Sequence, residues 1–166
     1  MSKDIQIKKG LNINLLGMAT KSISAAINSN YYSIRPEDFH GLIPKLNVKV
    51  GDKISAGDTV FFDKSNDSIK ITSPVSGGVI EISRGEKRRI LEIKIKADKK
   101  IKFKSYEKLD FNNANAEKIK AHLLDSGCWP FIKQRPYDII ASPDIRPKAI
   151  FISAHASAPL LSLIHI

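Results

Sequence analysis

The stretch of chain best suited to contact a small ligand lies between residues 129 and 137. It contains two large aromatic rings, a guanidinium and a phenol, from Trp129, Phe131, Arg135 and Tyr137. Aromatic rings can wall an apolar slot, and Arg135 and Tyr137 can donate hydrogen bonds to carbonyl oxygens of a ligand. In the alternative interpretation, Trp129 and Phe131 are ordinary core residues under a loop, and Arg135 is a salt-bridge partner.

Metal binding and nucleophilic catalysis find little support in the residue pattern. The histidines are scattered and no C-x-x-C or H-x-x-x-H spacing occurs, so no metal site is expected: His40, His122, His155 and His165. Ser153, His155 and Ser157 lie close together, but no acid is placed to orient the histidine, so no catalytic residue is predicted. The single cysteine, Cys128, excludes an internal disulfide, and we expect it to be a buried small hydrophobe.

Positive charge is concentrated in one part of the chain. The net charge is +10, and residues 84–108 contain eleven Lys or Arg against four Asp or Glu, a net of +7. Such a stripe can contact an acidic partner, acidic lipid headgroups or nucleic acid. The candidate partner or headgroup surface is Arg84, Lys87, Arg88 and Arg89.

The basic stripe also has a simple structural interpretation. Apolar and charged residues alternate along it, with Leu91, Ile93 and Ile95 interleaved with Glu92, Lys94 and Lys96. Period-two alternation predicts half-buried strands whose lysines face solvent, and it places Phe103 on the apolar side. With no stacking aromatic on the basic face, we favour a solvated face or a partner surface over nucleic acid.

The chain is expected to contain four segments. Residues 1–35 should form short strands and loops, 36–104 an all-β module, and 105–113 a linker. Residues 114–166 should be the start of an α/β domain that the chain does not complete. The β module is predicted from alternating runs around the turns Gly51-Asp52 and Gly57-Asp58.

The α/β segment is predicted from a helix and an apolar run. Ala116, Ile119 and Leu123 recur at helical spacing between residues 114 and 126. An asparagine, at position 113 or 115, is suited to cap the start, and Gly127 is suited to end the helix. Residues 148–154 (KAIFISA) predict a strand buried on both faces, as in a Rossmann-like sheet.

The β module resembles the biotinyl/lipoyl hammerhead fold, a barrel-sandwich hybrid. The resemblance rests on V-x-V-G-D-x-I-x-x-G-D-x-V at residues 48–60, followed by SPVSGGV at 73–79. The resemblance implies a mixed α+β chain, a hammerhead followed by the start of a Rossmann-like domain. A true carrier needs a lysine at the hairpin tip in a set register. Lys64 lies too early and no Met-Lys-Met occurs, so modification is not expected.

A wider resemblance covers residues 5 to about 160. Motifs follow one another in order: IKKGL, SIRPEDF, VKVGD, VFFDK, SPVSGGVIEI, RGEKRRILEI, LLDSGCWPFIKQRPYD and AIFISAHASAPL. Together they are similar to the N-terminal third of the A subunits of Na+-translocating NADH:quinone reductases. Residues 161–166 (LSLIHI) depart from the family pattern, so we expect a truncated or altered C-terminus.

The resemblance implies a peripheral protein on the cytoplasmic side of the bacterial inner membrane. Such a protein binds the other subunits of the complex and ubiquinone but carries no flavin or iron–sulfur centre, while NAD(H) and Na+ serve the whole complex. The fragment alone is expected to be inactive. Quinone contacts would come from Trp129, Phe131, Arg135 and Tyr137, and from the stretch 31–35 through Tyr32 and Ile34.

Two other functions stay open at this point. The related electron-entry subunit of the Rnf complex and the flavoprotein subunit of complex I bind flavin and NADH through a glycine-rich loop. At the matching place this chain has GCWPFI, residues 127–132, with one glycine and a proline. Because that loop lacks the glycines a phosphate cradle needs, flavin binding is disfavoured. A basic nucleic-acid-binding β domain is the other alternative.

Overall fold

The computed structural model describes residues 16, 22, 28–110 and 113–152. The chain divides into two compact units, Asn28–Arg146 and a second unit that combines Met1–Ile27 with Pro147–Ile166. All the described strands and helices belong to Asn28–Arg146. Several sequence-based expectations fall outside the described residues: the triplet Ser153, His155 and Ser157, the histidine His165, and the apolar tail 160–166.

The described residues of the larger unit form nine short strands and one α-helix. In chain order they are β1 (Tyr31–Ile34), β2 (Pro44–Leu46), β3 (Lys53–Ile54), β4 (Thr59–Asp63), β5 (Lys70–Thr72), β6 (Gly77–Arg84), β7 (Ile90–Ala97), α1 (Ala116–Asp125), β8 (Lys133–Gln134) and β9 (Ile139–Ile140). Short 3-10 helices span Pro36–Asp38 and Trp129–Phe131, and Glu86–Arg88 forms a turn between β6 and β7.

Strands β1 to β7 build two antiparallel sheets around one apolar core. The order is β1-β7-β6-β3 in the four-stranded sheet and β2-β4-β5 in the three-stranded sheet. We call residues 31–104 the β domain. Its buried core residues come from both sheets and from the turns between them: Ile34, Val48, Val60, Phe61, Ile71, Val75, Val79, Ile90, Ile93 and Ile95. Burying such side chains supplies about 1.5–3 kcal/mol each.

The two Gly-Asp turns are built alike, as the sequence predicts. Gly51 and Gly57 have φ of +97° and +96°, a conformation that glycine adopts without strain. The carboxylate of Asp52 accepts from the amide of Lys49 at 2.8 Å, and that of Asp58 accepts from the amide of Ser55 at 2.7 Å. Each aspartate thus closes its turn onto a backbone amide three residues earlier.

Strand β1 pairs with β7, so it belongs to the β domain. Tyr32 lies opposite Ile95, and Ile34 lies opposite Ile93. The sequence-based boundary between residues 35 and 36 therefore differs from the structure, in which the β domain begins before residue 36. The strand joins the sheet because Ile34 supplies one of its core side chains.

Bulges change which side chains of β6 and β7 face the core. The pairing shifts between Ser83 and Arg84, so that Arg84 lies opposite Ile90 while Ser83 lies opposite Glu92. Leu91 is the extra residue, and it is 41% exposed, whereas Ile90 is buried. The expectation that Leu91 shares the core face of Ile93 is wrong because a bulge reverses the alternation.

The expectation that Phe103 lies on an apolar side is also wrong. Its side chain is 77% exposed. Phe103 makes only an isolated parallel bridge with Ala56, where the amide of Ala56 donates to the carbonyl of Lys102 at 2.9 Å. The residue lies outside a regular ladder, so period-two alternation does not oblige it to face the core.

Helix α1 begins and ends with the residues that the sequence predicts. The side chain of Asn115 accepts from the amide of Lys118 at 2.9 Å, so Asn115 is the N-cap. Gly127, at φ +72°, follows the helix, and the amide of Cys128 donates to the carbonyl of Leu123 at 3.0 Å. This arrangement is the usual glycine-mediated helix end.

The predicted strand over residues 148–154 is not present in its described part. Residues 148–152 have no strand, and their large apolar side chains Ile150, Phe151 and Ile152 are exposed. A parallel strand needs a hydrogen-bonded neighbour, and the described residues contain no parallel ladder that would pair with it. Residues 153 and 154 lie outside the description.

Candidate ligand-binding hairpin and cleft

The four predicted contact residues all lie on one small hairpin, residues 129–141, which we call the aromatic hairpin. Strand β8 pairs with β9, with Lys133 opposite Ile140 and Gln134 opposite Ile139. The amide of Ala141 donates to the carbonyl of Ile132 at 2.9 Å and extends the pairing to the base. The turn spans Arg135 to Asp138, and Asp138 has φ of +55°.

Trp129 and Phe131 share the 3-10 helix at the base of the hairpin but have different environments. The indole N–H of Trp129 donates to the carbonyl of Ala141 at 2.7 Å, and the ring is half-buried. This bond ties the base of the hairpin together, so Trp129 has a structural role. Phe131 is 75% exposed and is therefore not an ordinary core residue.

Arg135 and Tyr137 lie at the other end, in the turn. Tyr137 is 71% exposed, and the guanidinium of Arg135 lies 3.4 Å from the carboxylate of Asp138. The structure thus brings together Trp129 with Phe131, and Arg135 with Tyr137. Phe131 and Arg135 are four residue steps apart, which at about 3.3 Å per step of extended chain is roughly 13 Å.

A cleft of about 210 Å³ lies along the β9 side of the aromatic hairpin. Apolar side chains line it from three segments of the chain: Leu42, Ile69, Ile139, Ile140 and Pro143. His40 and Asn66 add polar groups that can donate hydrogen bonds. An apolar cleft with a few polar groups is the general form of a small-molecule site. The sequence does not predict the cleft, because its lining residues are far apart in the chain.

The loop between β4 and β5 gives the cleft a fixed wall. Asp63 is buried, and its carboxylate accepts from the amide of Ser65 at 3.0 Å and from the hydroxyl of Ser65 at 2.7 Å. It also accepts from the amide of Ile43 at 3.3 Å. Asn66 donates to the carboxylate of Asp144 at 3.2 Å, linking this loop to the segment after the hairpin.

The second predicted stretch, Tyr31 to Arg35, lies in a different part of the fold. Ile34 is only 8% exposed and belongs to the core of the β domain. Tyr32 is half-buried and packs against the same core. These two side chains contribute to sheet packing in β1, and the described contacts of Tyr32 and Ile34 are with core residues.

Helix α1 and the aromatic hairpin are attached to the β domain by a few specific contacts. The ammonium of Lys70 lies 2.6 Å from the carboxylate of Asp125. Tyr106, which precedes α1, donates its hydroxyl to the carbonyl of Gly57 at 2.9 Å, and its ring lies edge-on to His122 of α1 with centroids 6.3 Å apart. A Cβ atom added at Gly127 would lie 2.5 Å from the side chain of Thr72. A glycine is therefore needed where the helix end meets β5.

These contacts shift two pKa values. The hydrogen bond from Lys70, together with its charge, lowers the pKa of Asp125 below its ordinary value. Burial raises the pKa of the Tyr106 phenol, and the nearby negative charge of Asp58 raises it further. Both groups lie where α1 meets the β domain, so both report on that attachment.

The remaining predicted residues are at the surface. Cys128 is exposed rather than buried, because it follows the helix end and lies outside any packed layer. Arg84, Lys87, Arg88 and Arg89 are all exposed at the end of the β6–β7 ribbon. Within the described ranges, no group of three His, Cys, Asp or Glu residues is arranged to hold a metal ion.

Among the described residues, we find no helix with the length and apolar character needed to span a lipid bilayer.

Two family models match consecutive parts of the chain. The NqrA N-terminal barrel-sandwich hybrid domain matches residues 5–98, and the NqrA second alpha/beta domain matches residues 114–166. The first match agrees with the two-sheet β domain, and the second begins two residues before α1. The chain thus has a mixed α+β fold.

Curated relatives carry the same family name. The chain is 35% identical over 159 residues to the A subunit of the Na(+)-translocating NADH-quinone reductase of Yersinia pseudotuberculosis serotype O:1b, covering 94% of this chain and 35% of the relative. The A subunits of the same reductase from Photorhabdus laumondii and Actinobacillus pleuropneumoniae serotype 5b are each 34% identical over 158 residues, with the same coverage.

The chain therefore spans about a third of the length of these relatives. More than half of its residues match the first family model, and the motifs from SIRPEDF to RGEKRRILEI fall within that match. The chain belongs to the NqrA family.

Proposed function

We propose that this chain forms the N-terminal part of the A subunit of a Na+-translocating NADH:quinone reductase, and that it contributes to quinone binding. The relatives are named for that reaction, and the chain aligns over 94% of its own length with them. In this proposal the chain is peripheral, on the cytoplasmic side of the bacterial inner membrane. Other subunits would hold the redox centres and use NAD(H) and Na+.

The observation that carries quinone binding is the exposure of Phe131 and Tyr137 on a hairpin whose strand β9 lines an apolar cleft. Neither ring lines the cleft itself. Exposing a large aromatic side chain to water is unfavourable. A flat apolar ligand that packs against the ring removes that surface from water, which favours binding. The cleft lies on the β9 side of the same hairpin and is lined by Ile139 and Ile140. A quinone ring could pack there, with its carbonyl oxygens accepting hydrogen bonds from polar groups such as His40 or Asn66.

The size of the cleft limits the proposal to the quinone headgroup. At about 210 Å³ the cleft is smaller than the roughly 300–1,000 Å³ typical of small-molecule pockets, so we assign to it the quinone ring alone and not the isoprenoid tail. The exposed rings of Phe131 and Tyr137 offer apolar surface for the part of the molecule outside the cleft. In this proposal Arg135, which pairs with Asp138 in the turn, would bind a polar end of the ligand.

The flavin-binding alternative is disfavoured by the hydrogen bonds of residues 127–132. The amides of Gly127 and Cys128 donate to carbonyls of α1, and the amides of Phe131 and Ile132 donate within the 3-10 turn. Pro130 has no amide proton. A phosphate cradle needs several amides that point outward, and these amides are already engaged. An absorption spectrum without flavin bands after reconstitution with FMN would agree with the proposal.

The proposal is tested by saturation-transfer NMR of the chain with a short-chain ubiquinone. We expect transfer to the quinone ring protons in the wild type and its loss in Phe131→Ala. The matched control is Phe103→Ala, because Phe103 is an equally exposed phenylalanine in the β domain. A His40→Ala variant reports on the cleft, since His40 is exposed and lines it.

Each outcome has a defined meaning. Loss of transfer in Phe131→Ala and its weakening in His40→Ala, with Phe103→Ala unchanged, would support the hairpin and cleft. Equal loss in Phe131→Ala and Phe103→Ala would indicate nonspecific partition onto exposed rings. Absence of transfer to a wild type shown folded by circular dichroism would contradict quinone binding by this chain, while leaving its family membership unaffected.

A further inference from the structure

The β6–β7 ribbon extends past the strands that flank it. Strand β1 pairs with β7 only from Ile93 to Lys96, and β3 pairs with β6 only at Gly77 and Gly78. Among the described residues, no third strand pairs with the ribbon from Ser83 to Glu92. The ribbon therefore ends in a narrow two-stranded projection.

Cationic side chains cover the end of that projection, which we call the basic tip (residues 84–89). Arg84, Lys87, Arg88 and Arg89 are all exposed. The chain has 21 lysines but only six arginines, and three of the six arginines fall within these six residues. An arginine guanidinium binds carboxylates with two parallel hydrogen bonds, which an ammonium cannot do.

The backbone of the basic tip is fixed in an unusual conformation. Lys87 and Arg88 have φ of +53° and +62°, the left-handed region that side-chain-bearing residues rarely adopt. Each such residue costs about 1 kcal/mol. The guanidinium of Arg84 donates to the carbonyl of Arg88 at 3.3 Å, and the amide of Gly85 donates to the carbonyl of Arg89 at 2.8 Å. The side chains thus project from a closed, defined loop.

The cations of the basic tip have no ion-pair partner in the described part of the chain. The apex also contains the exposed acid Glu86, and the bulged Leu91 lies against Gly85. An anionic bilayer or a nucleic-acid backbone would repel Glu86. A protein surface can pair Glu86 with a cation while its carboxylates bind the arginines and an apolar contact covers Leu91.

We propose that the basic tip is a docking element for an acidic protein surface, one with clustered carboxylates and an apolar position. Arginine is enriched at the centres of protein interfaces, whereas lysine is depleted there. A narrow, preorganised projection fits a concave or linear acidic site better than a broad planar one. This inference does not depend on quinone binding, because the basic tip and the aromatic hairpin share no residues.

The test measures binding of the full chain to two probes by fluorescence anisotropy and by vesicle sedimentation. One probe is a fluorescein-labelled peptide composed of Glu, Asp and Leu, and the other is vesicles of equimolar phosphatidylcholine and phosphatidylglycerol. The key variant changes Arg88 and Arg89 to Lys, which keeps the charge and removes two guanidinium groups, while Arg84 keeps its hydrogen bond to the carbonyl of Arg88. A second pair compares Arg88→Glu/Arg89→Glu with Lys99→Glu/Lys100→Glu, equal charge changes at exposed sites.

We expect Arg88→Lys/Arg89→Lys to bind the peptide about threefold or more weakly than the wild type, and Arg88→Glu/Arg89→Glu about tenfold or more weakly. The Lys99→Glu/Lys100→Glu variant should bind the peptide at most about threefold more weakly. The proposal is overturned if Arg88→Lys/Arg89→Lys binds like the wild type, if both charge reversals weaken binding equally, or if the wild type binds vesicles but not the peptide. All variants alter exposed side chains, and amide NMR signals of Ile93 and Ile95 would verify the fold.

Discussion

The β domain and the segment from α1 to the aromatic hairpin are stabilised in different ways. The β domain buries ten apolar residues in one cluster that both sheets share. In the second segment, α1 has no buried residue, and the hairpin strands contain two residues each. Its main buried side chain is Pro130, packed where the 3-10 turn contacts β5.

The difference indicates where each region obtains its stability. A core of this size can hold the β domain together, whereas the second segment depends on single contacts such as Lys70 with Asp125 and Gly127 against Thr72. Segments with few buried apolar contacts open locally at lower free energy than the core. The proposed ligand contacts therefore lie in the less stable region, which is where binding residues are commonly found.

The largest loss of stability is expected for Phe61→Ala in the β domain. Phe61 is fully buried and its ring lies edge-on to Phe39, with centroids 6.2 Å apart. Removing the ring leaves a cavity in the shared core, so we expect the free energy of unfolding to fall by about 3–5 kcal/mol. Urea unfolding followed by far-UV circular dichroism measures it.

Phe62→Ala is the matched control, because Phe62 is the next residue of β4 but faces the other way. It is half-buried, with the ammonium of Lys45 5.3 Å from its ring centroid. We expect the free energy of unfolding to fall by about 1 kcal/mol. Equal losses at the two positions would mean that the core is not where the stability of the β domain resides.

A smaller effect, confined to the second segment, is expected for Gly127→Ala. Alanine is strained at φ +72°, and its Cβ would clash with the stiff side chain of Thr72. We expect a loss of roughly 2 kcal/mol in the attachment of α1 to β5. Trp129 is the single tryptophan of the chain, so its fluorescence reports this segment selectively.

In Gly127→Ala, we expect tryptophan fluorescence and far-UV circular dichroism to report different unfolding midpoints. Tryptophan fluorescence should change at a lower urea concentration, while the circular dichroism transition of the β domain stays nearly in place. Gly78→Ala is the control, since nothing lies within 4 Å of the added Cβ there. If both transitions of Gly127→Ala moved together, the second segment would be part of the same cooperative unit as the β domain.

The smallest expected effect concerns pH. The pKa of Asp125 is lowered by Lys70, so the pair stabilises the folded state above the ordinary carboxyl pKa of 3.8. That stability is lost as pH falls below this value through the lowered pKa. Because the pair is largely exposed, we expect it to contribute less than about 1 kcal/mol to the free energy of unfolding.

Carbon-13 NMR of the Asp125 carboxyl group, followed through a pH titration, measures the effect directly. We expect the midpoint to rise towards its ordinary value in Lys70→Met, with no change in a Lys120→Met control. Lys120 pairs with Glu117 on the same helix, 2.8 Å away, and does not contact Asp125 in the described ion pairs. An unchanged midpoint in Lys70→Met would show that this ion pair does not form in solution.

The sequence predicted the parts of the fold that depend on local patterns. The Gly-Asp turns, the asparagine cap of α1 and the glycine at its end all follow from the preferences of single residues, and the structure has each of them. The mixed fold and the family were likewise evident from the order of the motifs. Local chemistry of this kind needs no knowledge of distant partners.

The features that the sequence did not predict depend on pairing between distant segments. The bulge that exposes Leu91 is a property of the β6–β7 ladder, and Phe103 is exposed because its only bridge is to Ala56. The cleft is formed by three segments that are up to about 100 residues apart, from His40 to Pro143. The residues of the aromatic hairpin could be grouped from the sequence because they are neighbours along the chain, and their role in ligand binding stays a prediction.

The two Gly-Asp turns have a consequence for how the β domain opens. The amide of Gly51 donates to Val79 in the four-stranded sheet, and six residues later the amide of Gly57 donates to Ser73, just after the three-stranded sheet. One short stretch of backbone is thus hydrogen-bonded to both sheets. Neither sheet can separate from the other without breaking one of these hydrogen bonds, so we expect the two sheets to open together.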